Sequence, residues 1–161
     1  MTTAARFYEY VLALHIAAVV VAFGVTFAYP IVFTVGARLD ARHMGWFHRL
    51  QEQIGKRLIQ PGLAVVLVAG IYLASDAHVW SEFYVGWGMA AAIVVGALGG
   101  MFFAPRERRL AELADQDIAA AGEGPVTFSA EYQRINGQVA RVGGLVSLLV
   151  LVTIVIMTVK P

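Results

Sequence analysis

The sequence predicts an all-α integral membrane protein, a four-helix bundle with helical extensions on its cytoplasmic side. Three observations predict this fold class. Of the 161 residues, 59% are hydrophobic and only 14% are charged, whereas about a quarter of the residues of a soluble domain are charged. Most of the charged residues lie in two short stretches, which alternate with four long uncharged tracts. Because lipid cannot satisfy backbone polar groups, such tracts cross a bilayer as helices.

Residues 1–161 are predicted to form a single domain with four transmembrane helices. The approximate spans are 7–36, 58–75, 83–105 and 138–160. Each is close to the roughly 20 apolar residues that a helix needs to cross the hydrocarbon core. The first tract exceeds the roughly 7 to 15 apolar residues of a secretory signal peptide. We therefore interpret it as a permanent helix.

The positions of the lysines and arginines predict the orientation of the bundle. Five basic residues lie between the first two spans and four lie between the last two: Arg38, Arg42, Arg49, Lys56 and Arg57, then Arg106, Arg108, Arg109 and Arg134. The connection 76–82 contains none. The positive-inside rule therefore places the basic connections in the cytoplasm and both termini on the outer side. The predicted location is the bacterial cytoplasmic (inner) membrane, and the lipid bilayer is the predicted partner.

The two basic connections are predicted to be helical. In the first, four apolar residues recur at helical spacing: Trp46, Phe47, Leu50 and Ile54. This pattern predicts an amphipathic helix that lies at the inner interface and leads into the second span. The segment 104–121 is rich in helix-forming residues and is predicted to extend the third span into the cytoplasm. Ser129 or Thr127 is predicted to cap the last helix.

Small residues and one proline predict how the spans pack and bend. Gly96 and Gly100 form a pair at four-residue spacing, and Ala140 and Gly144 form a second pair. Such pairs let helix backbones approach closely. The alternatives are packing within the bundle and the seam of a homodimer. Pro30 lacks a backbone donor and is predicted to kink the first helix.

His15 is the titratable residue that lies well inside an apolar tract. A polar side chain there is costly unless it is paired or bound to something. The functional interpretation is a haem or metal ligand or a proton relay, and the structural alternative is a neutral histidine that is hydrogen-bonded to a neighbouring helix. His43 and His48 are interpreted as interfacial, because five-residue spacing places them on different faces of a helix. His78 is interpreted as part of a solvated loop.

Several classes of function have no support in the sequence. A net charge of +1 and the absence of a basic stripe argue against nucleic acid as a partner. The chain contains no cysteine, which excludes disulfides and thiolate metal sites. No Ser-His-Asp set, glycine-rich phosphate loop or paired intramembrane carboxylate is present, so neither hydrolysis nor phosphoryl transfer is predicted. No metal site is predicted, and the catalytic residues, if any, stay unknown.

Several segments resemble a known group of membrane proteins. The motif Leu14-His15-Ile16, followed by Gly24, Phe27, Tyr29 and Pro30, resembles the first helix of the HemJ-type protoporphyrinogen oxidases. CopD-like copper-resistance proteins and a family of uncharacterised bacterial integral membrane proteins share this pattern. Two later segments also resemble the group: Gln60-Pro61-Gly62 with Gly70 and Leu73 in the second span, and Arg134, Asn136 and Lys160-Pro161 in the fourth. The resemblance implies that His15 is associated with haem b held between the helices.

The chain departs from the enzymatic members of this group. In the third span, Trp87 is followed by Gly88, Met89 and an apolar run, where HemJ-type enzymes carry a basic residue. The resemblance is therefore to the uncharacterised branch, and it implies haem binding without porphyrinogen oxidation. Two alternatives remain open. One is a small channel or transporter with a polar path past His15, Thr26 and Tyr29, and the other is a non-catalytic membrane scaffold subunit.

Overall fold

The structure is a computed structural model that describes the backbone of residues 3–161 and the side chains of residues 7–161, apart from those of residues 37 and 39. Within this part of the chain the fold contains α-helices and short helical turns but no strand. The helices are α1 (Thr3–Gly24), α2 (Tyr29–Leu39), α3 (Met44–Ile54), α4 (Gln60–Asp76), α5 (Phe83–Ala97), α6 (Ala104–Ala121) and α7 (Ala130–Val159).

Four continuous helical stretches are long and apolar enough to cross a membrane: Phe7–Gly36, Ala41–Asp76, Phe83–Ala121 and Ala130–Val159. They confirm the predicted all-α four-helix bundle of a membrane protein. Successive stretches alternate in direction, so the start of α1, the end of α7 and the α4–α5 connection lie at one end, which we call the terminal end. The connections that carry most of the arginines lie at the other end, which we call the basic end.

The first stretch changes its hydrogen-bonding pattern shortly before Pro30. Between α1 and α2, residues Val25–Phe27 form a 3-10 turn, and the amide of Ala28 donates to the carbonyl of Val25 over 3.0 Å. Proline has no N–H, so the carbonyl one turn before it loses its usual helical partner. The interruption lies in the turn where a kink is predicted from the sequence.

The second and third stretches run from the apolar part into the basic end without a loop. A π-helical turn at Gly55–Ile59 joins α3 to α4, and another at Leu98–Phe103 joins α5 to α6. Each turn lies just before a proline, which removes one helical hydrogen bond and favours local widening. The side-chain amide of Gln60 donates to the carbonyl of Gly96 across the two helices over 3.3 Å. The predicted extension of the third span is thus confirmed.

Helix α3 buries a face other than the one that carries Trp46 and Leu50. Trp46 and Leu50 are 54% and 39% exposed. The buried positions are instead Met44, Gly45, His48 and Glu52. The physical reason is that α3 continues α4 as one helix and packs along α6, where Gly45 lies against Asp115 and leaves no room for a Cβ. The predicted helix of the first basic connection is present as α3 and leads into the second span. Its position at the inner interface stays a prediction.

Two buried clusters hold the bundle together. The cluster at the basic end contains Met44, Leu110, Leu113, Ala114, Tyr132, Ile135 and Val139. The cluster within the apolar part, called the middle cluster, contains Ala22, Phe23, Leu63, Ala92, Val95 and Val150. Ser129 caps α7 and accepts from the amide of Tyr132 over 3.4 Å, as one of the two predicted caps.

The small residues at four-residue spacing lie in different surroundings. A Cβ on Gly96 would lie 3.0 Å from Leu63 Cδ2, so this glycine faces the second span. A Cβ on Gly100 or Gly144 would meet nothing within 4 Å, and Ala140 is exposed. The tightest approach of α1 to α4 is made by another glycine, since a Cβ on Gly62 would lie 2.6 Å from Ala22 Cβ. Both the intramolecular and the homodimer alternatives stay predictions.

Candidate functional site

A cavity of about 680 Å³ occupies the half of the bundle that lies toward the terminal end. Helices α1, α4, α5 and α7 line it, mainly with apolar side chains. Its polar lining residues are Tyr8, His15, Tyr84, Thr153, Thr158 and Lys160. Phe23, Leu63, Val95 and Val150 of the middle cluster form its deep end. The cavity is therefore an apolar chamber whose titratable nitrogen groups are one imidazole and one ammonium.

Helix α4 fixes the orientation of the His15 ring. His15 Nδ1 lies 3.0 Å from the carbonyl oxygen of Val66. A carbonyl oxygen can only accept, so Nδ1 carries the hydrogen and the neutral ring keeps its lone pair on Nε2. The missing side chain at Gly70 makes room for the ring, since a Cβ there would lie 3.3 Å from His15 Cε1. Among the residues described, no group hydrogen-bonds to Nε2.

This geometry bears on the two interpretations of His15. The hydrogen bond to Val66 fits a histidine that merely joins α1 to α4. It is equally the contact that orients an imidazole ligand, because metal-bound histidines almost always donate their other N–H to a carbonyl, carboxylate or water. The structural interpretation gives no reason for a cavity beside the ring, whereas a ligand would need one. The combination of a fixed Nδ1 and an adjoining apolar chamber favours the ligand interpretation.

We call the edge of the cavity at the terminal end, which Tyr84 and Lys160 line, its mouth. Lys160 follows the last turn of α7, and its Nζ lies 5.7 Å from the ring centroid of Tyr84 in the first turn of α5. His15 contacts α4 at Gly70, six residues before α4 ends at Asp76. At 1.5 Å per residue, the imidazole therefore lies about 9 Å deeper than the end of α4. The chamber thus has an imidazole inside and an ammonium group at its mouth.

These residues fit a haem group. Haem is a flat, largely apolar molecule whose iron takes an axial imidazole and whose edge carries two carboxylates. A chamber of about 680 Å³ lies within the usual range of small-molecule pockets. The donor set, one imidazole with a free Nε2 and one ammonium at the mouth, matches the polar groups of that ligand. Of the residues that the structure describes, no three His, Asp or Glu side chains come together to hold a bare metal ion.

A second constellation lies at the basic end, and we call it the triad. It consists of His48 on α3, Glu107 on α6 and Tyr132 on α7, which are 1%, 2% and 3% exposed. His48 Nδ1 lies 2.7 Å from Glu107 Oε2, and Nε2 lies 2.9 Å from the Tyr132 hydroxyl. An ionised carboxylate only accepts, so Nδ1 donates to Glu107. In the neutral ring, Nε2 then accepts from Tyr132.

Aromatic rings close the triad off from its surroundings. The centroid of Phe33 lies 5.1 Å from that of the His48 ring, and Phe128 stacks on Tyr132 at 4.3 Å. Burial raises the pKa of the Tyr132 phenol, and the charge of Glu107 raises it further. Three buried side-chain oxygens have no hydrogen-bond partner in the described structure, namely Glu107 Oε1, the hydroxyl of Tyr29 and Gln51 Oε1.

The triad corrects the sequence-based interpretation of His48. The imidazole is not interfacial, because it is buried and both of its nitrogens are hydrogen-bonded. One signal was present in the sequence: Met44, His48 and Glu52 share a helix face at four-residue spacing. That face was not recognised, because the apolar residues of the same helix defined a different one. By contrast, Glu107 and Tyr132 carried no signal that set them apart from other residues of their helices.

An ion-pair cluster lies beside the triad. Glu52 is 8% exposed and accepts from Lys56 Nζ at 2.6 Å and from Arg108 at 3.1 Å. The hydrogen bond from Lys56 lowers the pKa of the Glu52 carboxyl, against the opposing effect of burial, and Arg108 lowers it further. This cluster links α3 to α6 close to the π-helical turns. It stabilises the extensions.

The remaining candidate polar residues are not brought together. Thr26 donates to its own helix at the carbonyl of Phe23 over 2.7 Å, and neither Thr26 nor Tyr29 lines the chamber. His43 pairs with Asp40 at 3.3 Å at the surface. His78 lies in the exposed α4–α5 connection, with Nδ1 3.0 Å from the carbonyl of Asp76. Of the four histidines, two are therefore surface groups.

Comparison with known proteins gives no further assignment. No protein-family model matches the chain, no curated protein matches it, and no solved structure matches it. The class of protein rests on the fold and on the chamber alone.

Proposed function

We propose that the protein is a polytopic membrane protein that binds haem b in the chamber, with His15 as axial ligand. The observation that carries the proposal is the imidazole at the wall of an apolar cavity, with Nδ1 held by Val66 and Nε2 free. The resemblance of the Leu14-His15-Ile16 segment to haem-associated membrane proteins points the same way. Bound haem would supply one-electron redox chemistry.

The chain's own residues have separate roles in this proposal. His15 binds through Nε2, and the carbonyl of Val66 keeps its ring in place. The apolar walls from α1, α4, α5 and α7 exclude water from the chamber. Lys160 offers its ammonium group to the ligand's carboxylates at the mouth. Because α5 contains no charged residue, the proposal is one of binding and assigns no catalytic acid or base.

The proposed location follows from the distribution of charge over the two ends. The basic end carries most of the arginines, so the positive-inside rule places it in the cytoplasm of a bacterium and places the chamber in the outer half of the inner membrane. The mouth, with Lys160, would then open outward. A homodimer stays an alternative in this proposal. The exposed residues Gly100, Ala140 and Gly144 would then form its seam.

A channel or transporter has less support from the geometry. Such a protein needs a polar path that reaches both ends, and the middle cluster lies between the chamber and Tyr29. A scaffold subunit without a ligand has less support as well, because it gives no reason for a chamber of about 680 Å³ beside an imidazole. Flux measurements in liposomes test the first alternative. The second predicts a colourless protein that takes up no haem.

The absorption spectrum of the detergent-purified protein tests the proposal. We expect a Soret band, either as purified or after addition of haemin, and we expect His15→Ala to lose it. His78→Ala is the matched control, because His78 is an exposed histidine outside the chamber. A protein that shows no Soret band after haemin is added would overturn the proposal. A band of equal strength in His15→Ala would overturn the assigned ligand.

A further inference from the structure

The triad plays no part in the proposed haem site. It contains the negative charge of the buried Glu107 carboxylate. Glu107 is 2% exposed, and its one ion-pair partner in the described structure is His48. The neighbouring arginines of α6 are engaged elsewhere. Arg106 donates to the carbonyl of Phe102 and lies over its ring, Arg108 pairs with Glu52, and Arg109 pairs with Glu112 and Glu131. With His48 neutral, the site would hold an uncompensated negative charge in a buried place, which is unfavourable.

One added proton removes this charge. If His48 becomes an imidazolium, it forms a charge-assisted hydrogen bond with Glu107 through Nδ1, and the triad becomes neutral overall. Nε2 then changes from acceptor to donor, and the oxygen of Tyr132 accepts from it over the same 2.9 Å. The proton comes from a hydronium ion, which becomes water. The hydrogen bond from the Tyr132 hydroxyl to Nε2 breaks as the hydroxyl hydrogen turns away, and no other covalent bond changes.

The unpartnered oxygens distinguish this site from a purely structural network. A buried polar network that only holds helices together normally satisfies each of its members. Here Glu107 Oε1 is an acceptor without a donor, and the Tyr29 hydroxyl is a donor without an acceptor. The charge of Glu107 acts on Tyr29, so the two groups belong to one electrostatic environment. The site therefore has unused capacity for a proton or a water molecule.

We propose that the triad is a proton-binding site of the folded protein, in which His48 takes up one proton at Nε2 and Glu107 balances its charge. The titratable groups that face His48 are Glu107 from α6 and Tyr132 from α7, while α2 contributes the ring of Phe33. Asp117 also acts on Tyr132 through its charge. This proposal is independent of haem binding, because the triad and the chamber share no residue.

Nitrogen NMR of the full chain in detergent, with 15N in the histidine rings, tests the proposal. The chain has four histidines, and single His→Gln variants at 15, 43 and 78 assign the signals. As the pH is lowered, we expect His48 Nε2 to change from unprotonated to protonated while helical circular dichroism stays constant. If His48 takes up a proton only together with the loss of helix, the triad is a structural pair and the proposal is wrong.

A pair of isosteric variants tests the role of Glu107. Glu107→Gln removes the balancing charge, and we expect the proton affinity of His48 to fall at least about tenfold. Glu112→Gln on the same helix is the control, because Glu112 is an exposed residue that pairs with Arg109, and it should leave His48 unchanged. Equal affinities in Glu107→Gln and wild type would overturn the proposal. If Glu107→Gln does not fold, the wild-type titration decides by itself.

Discussion

The two halves of the bundle each bury a histidine, and they treat it in opposite ways. Toward the terminal end, His15 has one hydrogen bond, to Val66, and stands beside a cavity of about 680 Å³. At the basic end, His48 is 1% exposed, both of its nitrogens are hydrogen-bonded, and aromatic rings cover it. The first ring has a free nitrogen and space beside it, whereas the second has neither.

The comparison of the two histidines shows which features let a polar group inside the bundle bind a ligand. Burial is part of the difference, because His15 is partly buried and His48 is fully buried. The count of satisfied nitrogens and the empty volume beside the ring also distinguish them. We therefore assign ligand binding to the terminal half and stability to the basic half. Stability and ligand binding, measured separately for each half, test this division.

Removing each histidine gives the sharpest contrast in stability. We expect His48→Ala to lower the free energy of unfolding by about 3–5 kcal/mol, because it leaves Glu107 as an unpaired buried charge. His15→Ala should cost about 1 kcal/mol, because it removes one hydrogen bond at the wall of a cavity. Unfolding in detergent followed by circular dichroism measures both. Similar losses in the two variants would contradict the division of roles.

Large-to-small substitutions extend the contrast to apolar residues. Leu110 is fully buried in the cluster at the basic end, whereas Leu12 lines the chamber and is 37% exposed. We expect Leu110→Ala to destabilise by about 2–5 kcal/mol and Leu12→Ala by less than about 1 kcal/mol. The same unfolding assay applies. A larger loss for Leu12→Ala would show that the chamber walls are a packed core.

Lys160 provides a smaller effect, on binding. If its ammonium group meets a carboxylate of the ligand at the mouth, Lys160→Gln should weaken haem binding by up to about fivefold, the size of an exposed ion pair. The dimethyl ester of haem has no free carboxylate and should bind wild type and Lys160→Gln equally. Titrations followed by the Soret band give the four affinities. An equal loss for both ligands would exclude the proposed contact.

The smallest effect concerns the dependence of stability on pH at Glu52. Lys56 and then Arg108 hold the pKa of Glu52 below its unfolded value. The ion pairs of Glu52 therefore stabilise the fold at pH values above the pKa that Glu52 has in the unfolded chain. This contribution is lost as the pH falls below about 5 and through the folded pKa. Because both cations are exposed, we expect less than about 1 kcal/mol. Unfolding at pH 7 and at pH 4 should show a smaller difference for Glu52→Gln than for wild type.

Much of the architecture was predictable from the sequence. The four spans follow from uncharged tracts of bilayer length, and the extension at Ala104–Ala121 follows from its helix-forming residues. The face of α3 was not predictable from hydrophobicity, because α3 lies against α6 through Gly45 and His48 while Trp46 points outward. Hydrophobic periodicity marks an apolar face, which in a membrane protein can face lipid, and it does not identify buried polar residues. The buried His48 of α3 is satisfied by partners from other helices, which the pattern of one helix cannot show.

The two candidate sites also differ in how far they were predictable from the sequence. His15 stands out in the sequence because a lone polar residue in an apolar tract is costly. The triad does not, because His48 lies 59 positions from Glu107 and 84 positions from Tyr132, and each comes from a mixed polar helix. The chamber was also beyond sequence reasoning, since its volume depends on how four helices separate at one end.

Equilibrium titration of the detergent-purified protein with haemin tests the central assignment most directly. We expect the Soret absorbance of wild type to saturate at one haem per chain. We expect His48→Gln, where it folds, to saturate in the same way. His15→Ala should show only the weak, unsaturable signal of haem in micelles. The assignment of His15 as the haem ligand would be contradicted if His15→Ala saturated at one haem per chain. It would also be contradicted if wild type did not saturate.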